Sequence, residues 1–249
     1  MSNPIQSMPT PTGEFQTHFG SRPGSPDVAA MPALEQGDHL TREEFHRRYE
    51  AMPHLRKAEL IEGVVHMPSP VNFKKHGKPH FDGIGWLWNY VALTPGTLGG
   101  DNSTLKLDLK NEPQPDAFLI VAPECGGQVQ FDADGYIIGA PELINEISAS
   151  SASYDLHSKL EAYRRNRVKE YVVWRVLDRA IDWFILEGDQ FARLPCDAGI
   201  FRSCAFPGLW LDAPALIDGN LPKVLHIVQQ GIATEEHQRF LVSLRAVSP

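Results

Sequence analysis

The chain has 249 residues, 42% of them apolar, which is enough to bury the core of one large domain or two small ones. No apolar run approaches the length of a membrane span, the start Met1-Ser2-Asn3-Pro4 lacks the basic and apolar stretches of a secretory signal, and Cys125, Cys196 and Cys204 include no C-x-x-C pair. A net charge of −8 argues against indiscriminate adhesion to nucleic acid, so any polyanion site must be local, and a reducing cytoplasmic setting is expected.

Residues 1–38 are rich in Pro, Gly, Ser and Thr without helical or strand period and read as a disordered tail, leaving 39–249 as the folded domain. Thr41 and Glu44 have capping-box spacing and predict a helix to about Ala51. Residues 59–67 read as a strand with a bend, bulge or tight turn at Gly63. Residues 75–91 are amphipathic and predict helix after Pro79, with Trp86, Leu87, Tyr90 and Val91 on one side. Residues 105–109 alternate as a half-exposed strand does, whereas the unbroken apolar run 117–121 predicts a central strand covered on both faces. An excursion, with a hairpin as one form, spans 125–140 around Asp134-Gly135, and 142–147 is a second buried strand. Leu156, Leu160 and Tyr163 repeat at helical spacing and predict a helix from Asp155 to near Asn166. Residues 170–176 and 180–186 read as a hairpin, and 221 to about 244 as a mainly helical extension. No internal repeat occurs, and the pattern is that of one mixed α/β domain.

Asp116 stands after Pro115 at the mouth of the predicted core strand, where it serves either chemistry or a turn by capping a backbone amide. Glu146 lies inside an apolar strand, where an unpaired carboxylate is expensive; a functional role and an ion pair with a Lys or Arg both account for it. Lys159 lies about 60° from the stripe of Leu156, Leu160 and Tyr163 at ~100° per residue, so it can reach inward, or else form a surface pair with Asp155 worth ~0.2–0.5 kcal/mol. Glu59 and Glu62 fall on opposite faces of a strand, so at most one of them points at a given cluster. Acids at the ends of adjacent core strands, an acid from an early element and a lysine from the next helix would together form an oxygen-ligand site for Mg2+ or Mn2+, as phosphodiester hydrolysis requires.

His76 and His80 are four apart, but Gly77 and Pro79 lie between them, so both read as surface residues, with a loop or helix-start role for His76 near substrate as the alternative. Lys74, Lys75, Lys78, Arg164, Arg165, Arg167 and Lys169 are the basic concentrations; they either track a DNA backbone or are solvated faces. No G-x-S-x-G elbow, P-loop or G-x-G-x-x-G motif is present.

The ordered series ELIEG, MPSP followed by His76-Gly77, QPDAFLIV and PELINEISASSASYDLHSKLEAYRRNRVKEYVVW, over about residues 39–215, resembles the Uma-two family of restriction-type endonucleases, a branch of the PD-(D/E)xK nuclease superfamily. The resemblance implies a restriction-endonuclease-like core, a mixed sheet flanked by helices with metal ligands at strand ends. On that pattern Asp116 matches the PD aspartate, Glu146 the acid of the (D/E)xK half and Glu59 the early glutamate, with Glu62 as a weaker substitute. Ser148 stands where E-x-K would place lysine, and Lys159 in DLHSKLEAY matches the lysine that the family takes from the succeeding helix. Asp155 and Tyr163 match without an assigned role. The expectation is a Mg2+-dependent (or Mn2+-dependent) DNA endonuclease in which Glu59, Asp116 and Glu146 hold the metal and Lys159 assists the attacking water, with a homodimer as one route to cutting both strands. Its rivals are the same fold kept as a catalytically inactive nucleic-acid-binding or protein-binding module, and a metal-dependent hydrolase of a small phosphoester.

Overall fold

A computed structural model describes residues 31–67, 70–149 and 151–245; residues 1–30 of the sequence read as a tail lie outside them. Helix α1 (Arg42–Glu50) begins at the expected cap, where Thr41 Oγ1 accepts from the Glu44 N–H. Strands β1 (Glu59–Ile61) and β2 (Val64–His66) form an antiparallel hairpin. Its turn, Glu62-Gly63, has φ of 54° and 77°, so the bend at Gly63 is a tight turn and the segment 59–67 makes two strands. Leu34, inside the stretch read as tail, is buried with Phe45, Leu60 and Val65, and the Gly37 N–H donates to the Val65 carbonyl.

Helix α2 (Lys78–Ala92) is preceded by one turn of π-helix, Phe73–Gly77, capped by Asn72 Oδ1, which accepts from the Lys74 and Lys75 N–H groups. The helical path therefore starts earlier than predicted. Pro79 sits in the first turn of α2, where a missing N–H has no intrahelical partner to lose. After α2 come β3 (Thr97–Gly100), β4 (Leu105–Lys106), β5 (Ala117–Val121), β6 (Gln130–Phe131), β7 (Ile137–Ile138) and β8 (Leu143–Ser148). The strand predicted over 105–109 keeps only its first two residues, which pair parallel to β7, and the excursion is the β6–β7 hairpin. Helix α3 (Ala152–Tyr154) passes through a second π-turn, Asp155–Lys159, into α4 (Leu160–Arg165). The rest is β9 (Glu170–Arg175), β10 (Ala180–Glu187), β11 (Gln190–Arg193), β12 (Ile200–Arg202), β13 (Trp210–Asp212), α5 (Ala213–Ile217), α6 (Leu221–Ile232) and α7 (Glu235–Arg245).

The central sheet has the order β11-β10-β9-β8-β5-β3, antiparallel throughout except for the parallel pair β8–β9 that the α3–α4 crossover joins. Side chains alternate across it. Ala117, Leu119 and Val121 of β5, with Leu143 and Ile147 of β8, pack on Trp86, Leu87 and Tyr90 of α2 and on Val224 and Val228 of α6. Phe118, Ile120 and Ile144 face the other way, into a layer with Tyr163 and Tyr171. Both faces being covered explains why β5 reads as an uninterrupted apolar run.

Candidate active site

The register of the central pair sets the site. Ala117 lies opposite Asn145 and Phe118 opposite Ile144, so one step further along the antiparallel ladder Asp116 meets Glu146, on the face that looks toward α4. Backbone amides tie the two acids to each other's strands: the Ile147 N–H donates to Asp116 Oδ2 at 2.9 Å and the Asp116 N–H to Glu146 Oε2 at 3.3 Å. Both acids are buried, at 4% and 3% exposure.

Lys159 reaches the pair from the crossover. The wide Asp155–Lys159 turn buries both of its end residues, and the Lys159 ammonium lies 2.8 Å from Glu146 Oε1 and 3.0 Å from Glu59 Oε1. Of the two readings open for Lys159, the structure selects the inward one. Asp155 instead accepts from Ser151 Oγ at 2.6 Å. Tyr163, whose sequence match carried no assigned role, donates its hydroxyl to Glu146 Oε1 at 3.0 Å, and the Tyr154 ring centroid lies 5.5 Å from the ammonium. Glu59 Oε1 also accepts the Gln114 N–H at 2.8 Å, anchoring the hairpin to the entry of β5. Glu62 is in the hairpin turn, paired with Arg165. The fold thus gathers Glu59, Asp116, Glu146 and Lys159 and leaves Glu62 out.

Reading His76 and His80 as surface residues is corrected by the fold. His76 Nε2 donates to Asp116 Oδ2 at 3.1 Å and His80 Nε2 to the Asp116 carbonyl at 2.7 Å. Their i, i+4 spacing was the signal; Gly77 and Pro79 do not break it, because the π-turn runs through the first and the opening turn of α2 admits the second. Lys57 joins from the loop before β1, its Nζ 3.5 Å from Asp116 Oδ1 and 3.3 Å from Asn102 Oδ1. Nothing in the local sequence marks it, since its neighbours are all tertiary.

These partners split the two acids. Burial alone would raise Asp116, but the His76 hydrogen bond and the charges of Lys57, His76 and Lys159 outweigh it and hold the carboxyl below the ordinary range. Burial pushes Glu146 up to about 8, with repulsion from Asp116, Asp155 and Glu59 only partly offset by Lys159. Burial opposes the charge on Lys159 too, yet Glu146, Glu59 and Asp155 hold its pKa well above the usual lysine value. Two acids sharing one desolvated site separate in this way, one ionised and one holding a proton.

Among the described residues, no three His, Cys, Asp or Glu side chains are already gathered as a metal cage. Asp116 and Glu146 nevertheless supply hard oxygen donors at one spot, the donor chemistry that suits Mg2+ or Mn2+ rather than a thiolate-seeking ion. Most of the basic concentrations are neutralised: Arg164 by Glu161, Arg165 by Glu62, Arg167 by Asp189, Lys78 by Asp82, while Lys169 lies 3.6 Å from Glu142. No helix among the described residues is long and apolar enough to cross a membrane.

A crystal structure from Anabaena variabilis ATCC 29413, described as "a putative nuclease belonging to DUF820", superposes with a TM-score of 0.52 at 12% identity, covering 76% of this chain and 99% of that one. At that identity the likeness is one of fold, and it establishes the mixed α/β, restriction-endonuclease-like architecture. No curated protein matches the chain. The model of the Uma2 family, described as "Putative restriction endonuclease", matches residues 42–214, a span that holds all four gathered side chains. The chain belongs to the Uma2 family.

Proposed function

We propose that the protein is a metal-dependent endonuclease that hydrolyses phosphodiester bonds in DNA. The observation that supports this most is the opposition of Asp116 and Glu146 at the mouths of adjacent central strands, with the Lys159 ammonium 2.8 Å from Glu146. Asp116 and Glu146, with Glu59 as third acid, would hold Mg2+ or Mn2+. Bound there, the ion supplies Lewis-acid polarisation of a phosphoryl oxygen and lowers the pKa of water. Asp116 is kept ionised by His76 and Lys57, so its oxygens are ready donors. Glu146, on which burial holds a proton, would serve as a ligand in its deprotonated form. Lys159 orients Glu146 and Glu59 and keeps a positive charge at the edge of the site, where it positions the attacking water or offsets charge that develops on phosphate oxygen. The Tyr163 hydroxyl fixes Glu146 Oε1.

The test is cleavage of plasmid and of circular single-stranded DNA with Mg2+ or Mn2+ beside an Asp116→Ala variant. Loss of cleavage in the variant is expected; cleavage that persists undiminished rejects the site. The absence of a ready cage among the described residues and the net charge of −8 favour a second reading, a catalytically inactive nuclease-fold module. Calorimetry separates the two: Mn2+ binding that vanishes in Glu146→Gln belongs to a nuclease site, and no Mn2+ binding at all belongs to the module. Competition between short DNA and a small phosphoester decides between DNA and small substrates. Cutting both strands of a duplex with one site per chain often uses two copies, so for duplex substrates a homodimer is part of the proposal. A cytoplasmic setting is proposed from the three free cysteines.

A further inference from the structure

The turn that carries His76 into the site has an outer side that the chemistry above does not use. Residues 71–75 are all exposed, with Phe73 at 72%, and Phe81 one turn into α2 is at 74%. Two large aromatic rings held in water are expensive unless they meet a partner. Between them lie Lys74 and Lys75, which, unlike the paired Arg164, Arg165, Arg167 and Lys78, have no acidic partner among the described residues. Asn72, the one neutral polar side chain here, spends its Oδ1 on the Lys74 and Lys75 amides. The segment therefore offers ring faces and unpaired ammonium groups, and little that could read the edge of a base pair.

Resting on the nuclease reading, we propose that Phe73, with Phe81 eight residues further along the same helical path, is a stacking platform for unpaired bases flanking the scissile phosphate, and that Lys74 and Lys75 bind the adjoining phosphates. Phe73 and His76 belong to the same π-turn, and His76 contacts Asp116, so the platform adjoins the element that borders the site. A stacking ring needs an open base face, which paired bases inside a duplex do not present. The substrate class is accordingly single-stranded DNA, or DNA with an unpaired end, flap or junction, taken with little sequence preference.

The test is binding without cleavage, read by anisotropy of a labelled single strand and of its blunt duplex on Asp116→Ala protein with no divalent metal. Single strand is expected to bind more tightly. Phe73→Ala should weaken that binding about 5- to 150-fold, as loss of one stacked base does, and Phe73→Trp should restore it. Lys74→Gln with Lys75→Gln should flatten the dependence of log K on log salt by about 1.4, about 0.7 per phosphate contact of a single strand. Equal affinity for duplex and single strand, or single-strand binding unmoved by Phe73→Ala, overturns the platform. So does a Phe73→Ala variant that binds DNA normally but sediments as a smaller species, which would make the rings a contact between copies. The two readings fail separately: wild-type protein that cuts nothing while Phe73 still governs single-strand binding sinks the nuclease alone, and cleavage with Phe73→Ala binding unchanged sinks the platform alone.

Discussion

Replacing Lys159 with Met removes one charge while nearly preserving volume, so the outcome isolates the electrostatics of the site. The side chain is 3% exposed and its ammonium sits 2.8 Å from Glu146 Oε1 and 3.0 Å from Glu59 Oε1. Without it, Glu146 Oε1 keeps only the Tyr163 hydroxyl and Glu59 Oε1 only the Gln114 N–H. Removing one partner of a buried ion pair costs about 3–5 kcal/mol. There is also a ceiling, because a stranded glutamate can take up a proton, which at pH 7 costs about 3.7 kcal/mol from an unfolded pKa of about 4.3. For a domain of this size the loss corresponds to a fall in Tm of about 6–20 °C. Glu146 already holds its proton up to about pH 8 beside Lys159, so the pH dependence comes from the other acid that loses its partner, Glu59: neutralising it in the folded variant costs more at each higher pH, and the deficit of the variant grows from pH 5 to pH 7. Glu59→Gln in the same background should recover part of it. Urea denaturation of the three proteins across that pH range gives the answer. A deficit under about 1 kcal/mol, as an exposed lysine would give, refutes the buried bridge.

Tyr163→Phe deletes the hydroxyl that donates to Glu146 Oε1, which keeps Lys159 as a partner; it should cost about 0.5–1.5 kcal/mol by denaturant titration and lower cleavage without abolishing it. Asn72→Ala removes the cap of the turn that aims His76, so about 0.5–2 kcal/mol of stability and part of the cleavage rate should go together. Glu170 lies far from these acids along β9, where burial raises its pKa despite hydrogen bonds from the Ser203 hydroxyl and the Cys204 and Ala205 amides. Its contribution is therefore present below the unfolded pKa and lost as pH rises, so Glu170→Gln should gain on the wild type between pH 4 and pH 7; a variant that loses ground to the wild type over that range contradicts the assignment.

What the sequence made legible was whatever depends on local period and on burial. The apolar run of β5 and the buried acid in β8 were visible because a covered strand has few ways to look otherwise, and the capping box of α1 because its partners are three residues apart. The site partners that escaped notice are those whose meaning is tertiary. Lys57 reaches Asp116 only because the β1–β2 hairpin docks on the entry of β5 through Glu59 and Gln114. His76 and His80 were visible as a pair but discounted, since Gly77 and Pro79 argue against a regular helix and a π-turn evades that argument. Leu34 lay in a composition that suggests disorder, yet its buried side chain and the two backbone bonds that Gly37 and Asp38 share with Val65 fix the segment beside the hairpin.

Ser148 shows why a motif defined by spacing along a strand can be satisfied from elsewhere. Two residues beyond Glu146, it shares that residue's face of β8, so a lysine here would approach the same acids along the strand. The position is filled otherwise: Ser148 is 1% exposed and its Oγ lies 3.4 Å from Ser151 Oγ, which in turn donates to Asp155. That small, polar chain fixes the start of the crossover, and a long cationic stem at 148 would have to displace it. The crossover so fixed then widens by one π-turn and carries Lys159 inward, placing the ammonium between Glu146 and Glu59. What the chemistry requires is a positive charge at a point in space beside paired acids. The serine network and the wide turn are the means by which a helix supplies it to a strand that does not.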